Sequence, residues 1–153
     1  MKQETMTIKG EIHAVARKGG KIIWEDRREN VICRAGLARL AGILTGDITT
    51  LPAINYCALG TGTATPTTDD TKLQTETYRN LVASGYSDQY LAYFTAYFNE
   101  TETSGTFKEF GVFINGTASA DSGYIFNHIG GLTWVKDTAT TLSVDIKFTL
   151  ATA

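Results

Sequence analysis

The most restrictive feature of this sequence is a period of two near its end. Leu142, Val144, Ile146, Phe148 and Leu150 alternate with Ser143, Asp145, Lys147 and Thr149. Successive side chains of an extended strand point to opposite faces, so the pattern buries one face and wets the other. Such a strand needs neighbours for its backbone and an apolar layer against its face, which means a packed sheet. A looser alternation opens the chain. Met6, Ile8, Ile12, Ala14 and Ala16 oppose Thr7, Lys9, Glu11 and His13. Arg17-Lys18-Gly19-Gly20 supplies a tight turn, and Lys21 to Glu29 returns. The result is an N-terminal hairpin over residues 5–31, a candidate docking arm. The charged run Glu25 to Glu29 suits an edge, where charges discourage further pairing.

The period changes once. Leu37, Leu40, Ala41 and Leu44 fall at helical spacing, Asn30 stands ahead of them as a cap, and Gly46 ends the run. This predicts one helix, residues 34–45. Further strands are expected at Ile54 to Leu59, Tyr90 to Asn99, Thr106 to Ile114, Gly123 to Ile129 and Leu132 to Val135, with Asn115-Gly116 as a turn. Asp69 or Thr71 opens a short helical turn through Glu76, and Tyr78 to Ser84 carries no clear pattern. Abundant Thr, Tyr and Phe favour pleated surfaces. The predicted fold is mainly β, an antiparallel β-sandwich or flattened barrel with an N-terminal hairpin and one helix. The 153 residues form a single domain.

Between hairpin and later strands lies Tyr56 to Leu73, an apolar run that becomes a Gly/Thr/Pro/Asp loop. Gly60, Gly62, Pro66 and Asp69 are its structural residues: the glycines can take positive φ, and Pro66 holds Thr65 extended. It is not a phosphate loop. Gly62 is followed by Thr63-Ala64-Thr65-Pro66, with no Lys for a phosphate and no helix opening at once. An ordered crossover loop is expected.

Few chemistries find their residues. The net charge is −2, and the densest basic pair, Arg27-Arg28, is flanked by Glu25, Asp26 and Glu29, so nucleic acid is not expected as a partner. Cys33 and Cys57 read as buried free thiols, and no metal or cofactor site is expected. Met1 to Thr5 is polar, with no signal peptide behind it, and no apolar run is long enough for a membrane span, so membrane insertion is not expected. Glu109, in an apolar strand, reads as a satisfied polar group at a bulge or as a carboxylate paired across a subunit interface, ahead of a general acid. His13 reads as a surface residue, and His128 lacks a nucleophile in motif context. Asp69 and Asp70 read as caps. No catalytic residue is assigned.

The strand Tyr90 to Asn99 is apolar on both faces. Tyr90, Ala92, Phe94, Ala96 and Phe98 form one, and Leu91, Tyr93, Thr95 and Tyr97 the other. The run Phe107 to Ile114 adds a further apolar strand. A soluble monomer leaves at most a few hundred Å² of contiguous apolar surface open. An obligate homo-oligomer is therefore expected, with Tyr90, Tyr93, Phe94, Tyr97, Phe98, Phe107, Glu109, Phe110, Val112 and Phe113 at its interface. The same tyrosines, with Tyr86, could instead form a sugar-binding platform.

One succession of motifs has a counterpart elsewhere. Glu29-Asn30-Val31-Ile32 closes the hairpin, and Arg34-Ala35-Gly36-Leu37-Ala38-Arg39-Leu40 opens the helix. Tyr56-Cys57-Ala58-Leu59-Gly60-Thr61-Gly62-Thr63 follows, with a Pro66, Asp69, Leu73, Glu76 spacer. Phe107-Lys108-Glu109-Phe110-Gly111-Val112-Phe113 and the strand Thr141 to Leu150 complete it. Over roughly residues 8–150 this order resembles small virion proteins of tailed bacteriophages, of the capsid-decoration, tail-fibre or minor-tail type. Phe110-Gly111 stands where those proteins often have Ala-Gly. The resemblance implies a non-enzymatic β module, made in the host cytoplasm and placed on the virion surface, commonly as a homotrimer. Its implied partners are further copies of itself, the major capsid protein or tail proteins of the same particle, and a host-surface glycan.

Overall fold

The computed structural model describes residues 4–50 and 52–152, leaving part of the polar Met1 to Thr5 start outside the described residues. Strands make up 55% of the structure and helix 8%. The strands are β1 (Met6–Lys18), β2 (Lys21–Ile32), β3 (Ile54–Gly60), β4 (Glu76–Leu81), β5 (Ser84–Asp88), β6 (Leu91–Phe98), β7 (Gly105–Phe107), β8 (Glu109–Ile114), β9 (Tyr124–Ile129), β10 (Trp134–Lys136) and β11 (Thr140–Thr152); α1 spans Arg34–Thr45. Nine strands form one curled antiparallel sheet in the order β4-β3-β8-β9-β2-β1-β11-β6-β5, and β7 pairs with β10 in a small second sheet. This is the expected mainly-β architecture.

The sheet has two halves. Strand β2 belongs to both: its first part pairs with β1, and Val31 and Ile32 pair with His128 and Asn127 of β9. On the other side, β4 and β5 end the sheet at opposite edges, yet only Val82 and Ala83 separate them in the chain. Val82 donates its N–H to Asn55 O of β3 (2.9 Å) and Ala83 donates to Thr95 O of β6 (2.8 Å). Asn80 Nδ2 reaches Tyr97 O at 3.1 Å. The chain thus joins the two edges at this passage, and the sheet curls into a half-barrel that fits the expected flattened barrel, with the outer edge of β5 left open.

Inside lie the even-numbered residues of β11, from Leu142 to Phe148, with Ile12, Ala14, Ala96, Phe98, Phe110, Val112, Phe126 and Trp134. Trp24 stacks on Trp134 at 5.9 Å, and Phe126 meets Phe148 edge-on at 4.7 Å. The hairpin marked as a candidate docking arm is built into the sheet. Strand β1 pairs with β11 from Met6–Thr152 to Lys18–Thr140 and with β2 on its other side. Its turn, with Ile22 and Ile23, is exposed, as are the outward charged side chains of Lys9, Glu11, Arg27 and Glu29.

The helix forms where its spacing placed it and ends at Gly46, whose φ of 75° is left-handed. Its N-cap is Cys33, not Asn30, which lies in β2 with its side chain over Gly10. The helix meets β9 through Gly36: a Cβ there would lie 2.6 Å from the Phe126 ring. The expected apolar stripe packs only at its start; Ala41 and Leu44 are exposed. Two strands, β4 and β5, cover the stretch that carried no clear pattern. No helical turn forms between Asp69 and Glu76. A tight turn at Thr67–Asp70 and an extended run take its place.

Candidate functional site

The loop over residues 61–75 joins two adjacent strands, β3 and β4, and folds back over the outer face of the β3-β8-β9 half. Thr61 N–H donates to Thr75 O, and Arg34 N–H to Thr68 O. Leu73 inserts beneath it with Cys33, Ala58, Phe113 and Ile125, forming a second apolar layer outside the barrel. This corrects part of the interface reading. Phe113 is covered by the chain's own loop, while Phe98, Phe107, Phe110 and Val112 lie in the barrel core. Glu109 is also buried within the single chain, its carboxylate engaged by the chain's own groups.

Glu109 instead anchors the loop. Its Oε1 accepts from Gly62 N (3.0 Å) and Thr75 N (2.7 Å), and its Oε2 from Gln74 N (2.9 Å). The fourth partner is His128 Nε2 on β9, 2.9 Å from Oε2, and His128 Nδ1 lies 2.6 Å from Asp70 Oδ2. Asp70 in turn accepts from the Thr67 amide (2.8 Å) and hydroxyl (2.9 Å). Burial pushes the Asp70 carboxyl up, but the Thr67 and His128 donors outweigh it and hold the carboxyl below its ordinary range. Gly60 and Gly62 are glycines for a reason other than positive φ, which neither adopts. A Cβ at either would lie 2.5 Å from Glu109 Oε1. Pro66 sits against Gly130, and Asp69 pairs with Arg34 at the surface.

Two buried cations do similar work elsewhere. Arg79 pairs with Glu76 (2.6 Å) and donates to Thr117 O and Ser122 O, fixing the loop after β8. Lys136 Nζ donates to Glu102 O (2.7 Å) and Thr103 O (3.0 Å), fixing the turn after β6. Burial pulls the Lys136 amine down from its ordinary value. Cys33 and Cys57 are buried free thiols, each pushed up to about 12 by burial. Neither Arg79–Glu76 nor Lys136 was foreseen. The one legible trace of these networks was an ionisable residue inside each of two apolar strands, Glu109 and His128.

The β5-β6-β11-β1-β2 half is built differently. Among the described residues, no loop covers its outer face. Register places Tyr86, Tyr93, Lys147, Glu11 and Glu29 in one cross-strand row, and Ser84, Thr95, Asp145, His13 and Arg27 in the next. The row is about 19 Å long, four strand spacings of ~4.8 Å. Lys147 pairs with Glu11 (2.8 Å), Thr95 bonds Asp145 (2.9 Å), and His13 reaches Glu25 (2.8 Å). Tyr86 and Tyr93 stack at 4.8 Å with 17° between their planes. All of these but Ser84 and Glu25 line an open groove of about 610 Å³. Of the expected interface tyrosines, Tyr90 is 56% exposed and Tyr97 43%, beside Tyr86 at 65%. Tyr93 is half-buried, and Phe94 points into the core.

No protein-family model, curated protein or solved structure matches this chain.

Proposed function

We propose that the chain is a non-enzymatic structural subunit of a tailed-bacteriophage particle. It is a capsid-surface decoration protein that associates with copies of itself and bridges units of the major capsid protein. The observation that carries this is the saturation of the buried Glu109–His128–Asp70 cluster. Both oxygens of Glu109 and both ring nitrogens of His128 are engaged, and Glu109 takes three loop amides. A general acid or base needs a free position facing substrate. These groups are spent on holding a loop still. The open tyrosine face supports association, and the resemblance over residues 8–150 supports the particle; the number three for the oligomer comes from that resemblance alone. Mass spectrometry of purified virions tests the proposal. Hundreds of copies per particle mark the capsid, a few to tens mark the tail, and no copy at all overturns it.

The groove favours a second reading, a tail-tip module that binds a host-surface glycan. Stacked Tyr86 and Tyr93 offer a flat apolar platform beside hydrogen-bonding side chains. A glycan array with the assembled protein tests this. Binding lost on Tyr86→Ala supports it, and an empty array removes it.

A further inference from the structure

The exposed edge of β5 has a definite hydrogen-bonding pattern. Leu150 N–H donates to Tyr90 O at 2.9 Å. Backbone groups in an antiparallel ladder alternate in direction, so Tyr90, Ala92, Phe94, Ala96 and Phe98 turn theirs toward β11. Those of Leu91, Tyr93, Thr95 and Tyr97 then point toward β5. Two bonds agree with this: Thr95 O accepts from Ala83 N, and Tyr97 O from Asn80 Nδ2. Ser84, Tyr86 and Asp88 oppose Thr95, Tyr93 and Leu91, so their backbone groups are used within the sheet. Those of Gly85 and Ser87 face the other way. Strand β5 ends the sheet, and all five of its residues are exposed. Gly85 and Ser87 therefore present two N–H and two C=O groups without partners among the described residues. An open edge of this kind is a template for another strand, and this one carries no Lys, Arg or Pro to deter pairing.

We propose that two copies of this chain join edge to edge through β5, antiparallel, with Tyr86 on the two-fold axis. The proposal rests on the self-association put forward above and names its contact, which closes at two copies in place of the three that the resemblance implies. The strand is complementary to itself in this register, which pairs its full length. Gly85 opposes the partner copy's Ser87 on both sides of the axis, giving four N–H···O bonds. The Ser84 hydroxyl meets the partner copy's Asp88 carboxylate, an unlike pairing, and the two Asp88 charges stay about 14 Å apart along the strands. Tyr86 meets its own copy in the closely spaced, non-hydrogen-bonded position. This extends the Tyr93–Tyr86 stack across the axis as an unbroken row of four rings.

Two substitutions test the contact alongside sedimentation of the native chain from micromolar to millimolar concentration. At the axis, Cα atoms of a non-hydrogen-bonded pair lie ~4.5 Å apart, within disulfide range. Under mild oxidation Tyr86→Cys should give disulfide-linked pairs at least tenfold faster than Tyr97→Cys; Cys33 and Cys57 are buried and contribute no background. Ser87→Pro removes an N–H that the monomer does not use and should weaken association tenfold or more, with the circular dichroism of the native fold. Equal cross-linking rates for the two cysteine variants overturn the β5 contact while leaving self-association standing on another surface. A native chain that stays monomeric throughout overturns both. If Ser87→Pro fails to fold, the cross-linking ratio decides alone.

Discussion

Strands β6 and β8 look alike in sequence and end differently in the fold. Each is apolar on both faces, and each sends one face into the barrel. The outer face of β8 is then sealed by residues 61–75, with Leu73 over Phe113 and with Glu109 tied to three loop amides. The outer face of β6 has no such lid, and Tyr97 stays open with Tyr86 and Tyr90 around it. A second apolar face therefore does not by itself announce a partner. It announces a cover, and the cover can be the chain's own loop. Among the described residues, what distinguishes the two faces is the buried Glu109–His128–Asp70 network that ties a loop over β8.

Removing that network should have the largest effect. Glu109→Ala leaves His128 and three loop amides without their acceptor, and truncating one partner of a buried pair costs about 3–5 kcal/mol. Urea unfolding should register the loss, and residues 61–75 should become the first site of proteolysis. Unchanged stability would mean that the lid is held by apolar packing alone. Next is Gly62→Ala, whose Cβ would press on Glu109 Oε1. Overpacking of this kind costs about 1–3 kcal/mol. A neutral result in thermal unfolding would show that the loop has room to shift.

Acid should loosen the same side. The Asp70 carboxyl is held below its ordinary value in the folded chain. Its contribution is thus present above the usual carboxylate range, about pH 4, and is lost as pH falls through the depressed value. Asp70→Asn should flatten the acid limb of the stability curve, and an unaltered limb would remove Asp70 from the account. The smallest effect on folding is expected on the open side. Tyr93→Ser with Tyr97→Ser should cost about 1 kcal/mol or less yet release monomers in light scattering. A large loss of stability with assembly intact would reverse the contrast between the two strands.

What was legible in the sequence was local. The alternation from Leu142 to Leu150 placed a strand and its inward face, the helical spacing with Gly46 placed α1, and Gly19-Gly20 placed a hairpin turn. What was not legible depended on residues far apart in the chain. Asp70, Glu109 and His128 meet only because β8 and β9 are neighbours and the loop folds back over both. Strands β4 and β5 lack clean alternation because residues on both faces of β4 are half-buried, while β5 is exposed throughout. In the sequence, Gly60 and Gly62 read as placed for a positive φ, whereas in the fold the crowding of the Glu109 carboxylate leaves them no room for a Cβ.

The two-residue passage at Val82 and Ala83 has a mechanical consequence. An open sheet under load fails from its rim, one hydrogen bond at a time, because the outermost strand can be stripped away alone. Here pulling β4 outward draws β5 with it, since the two rims are one continuous strand of backbone. Rupture must then begin by sliding neighbouring strands past each other, with many bonds strained together.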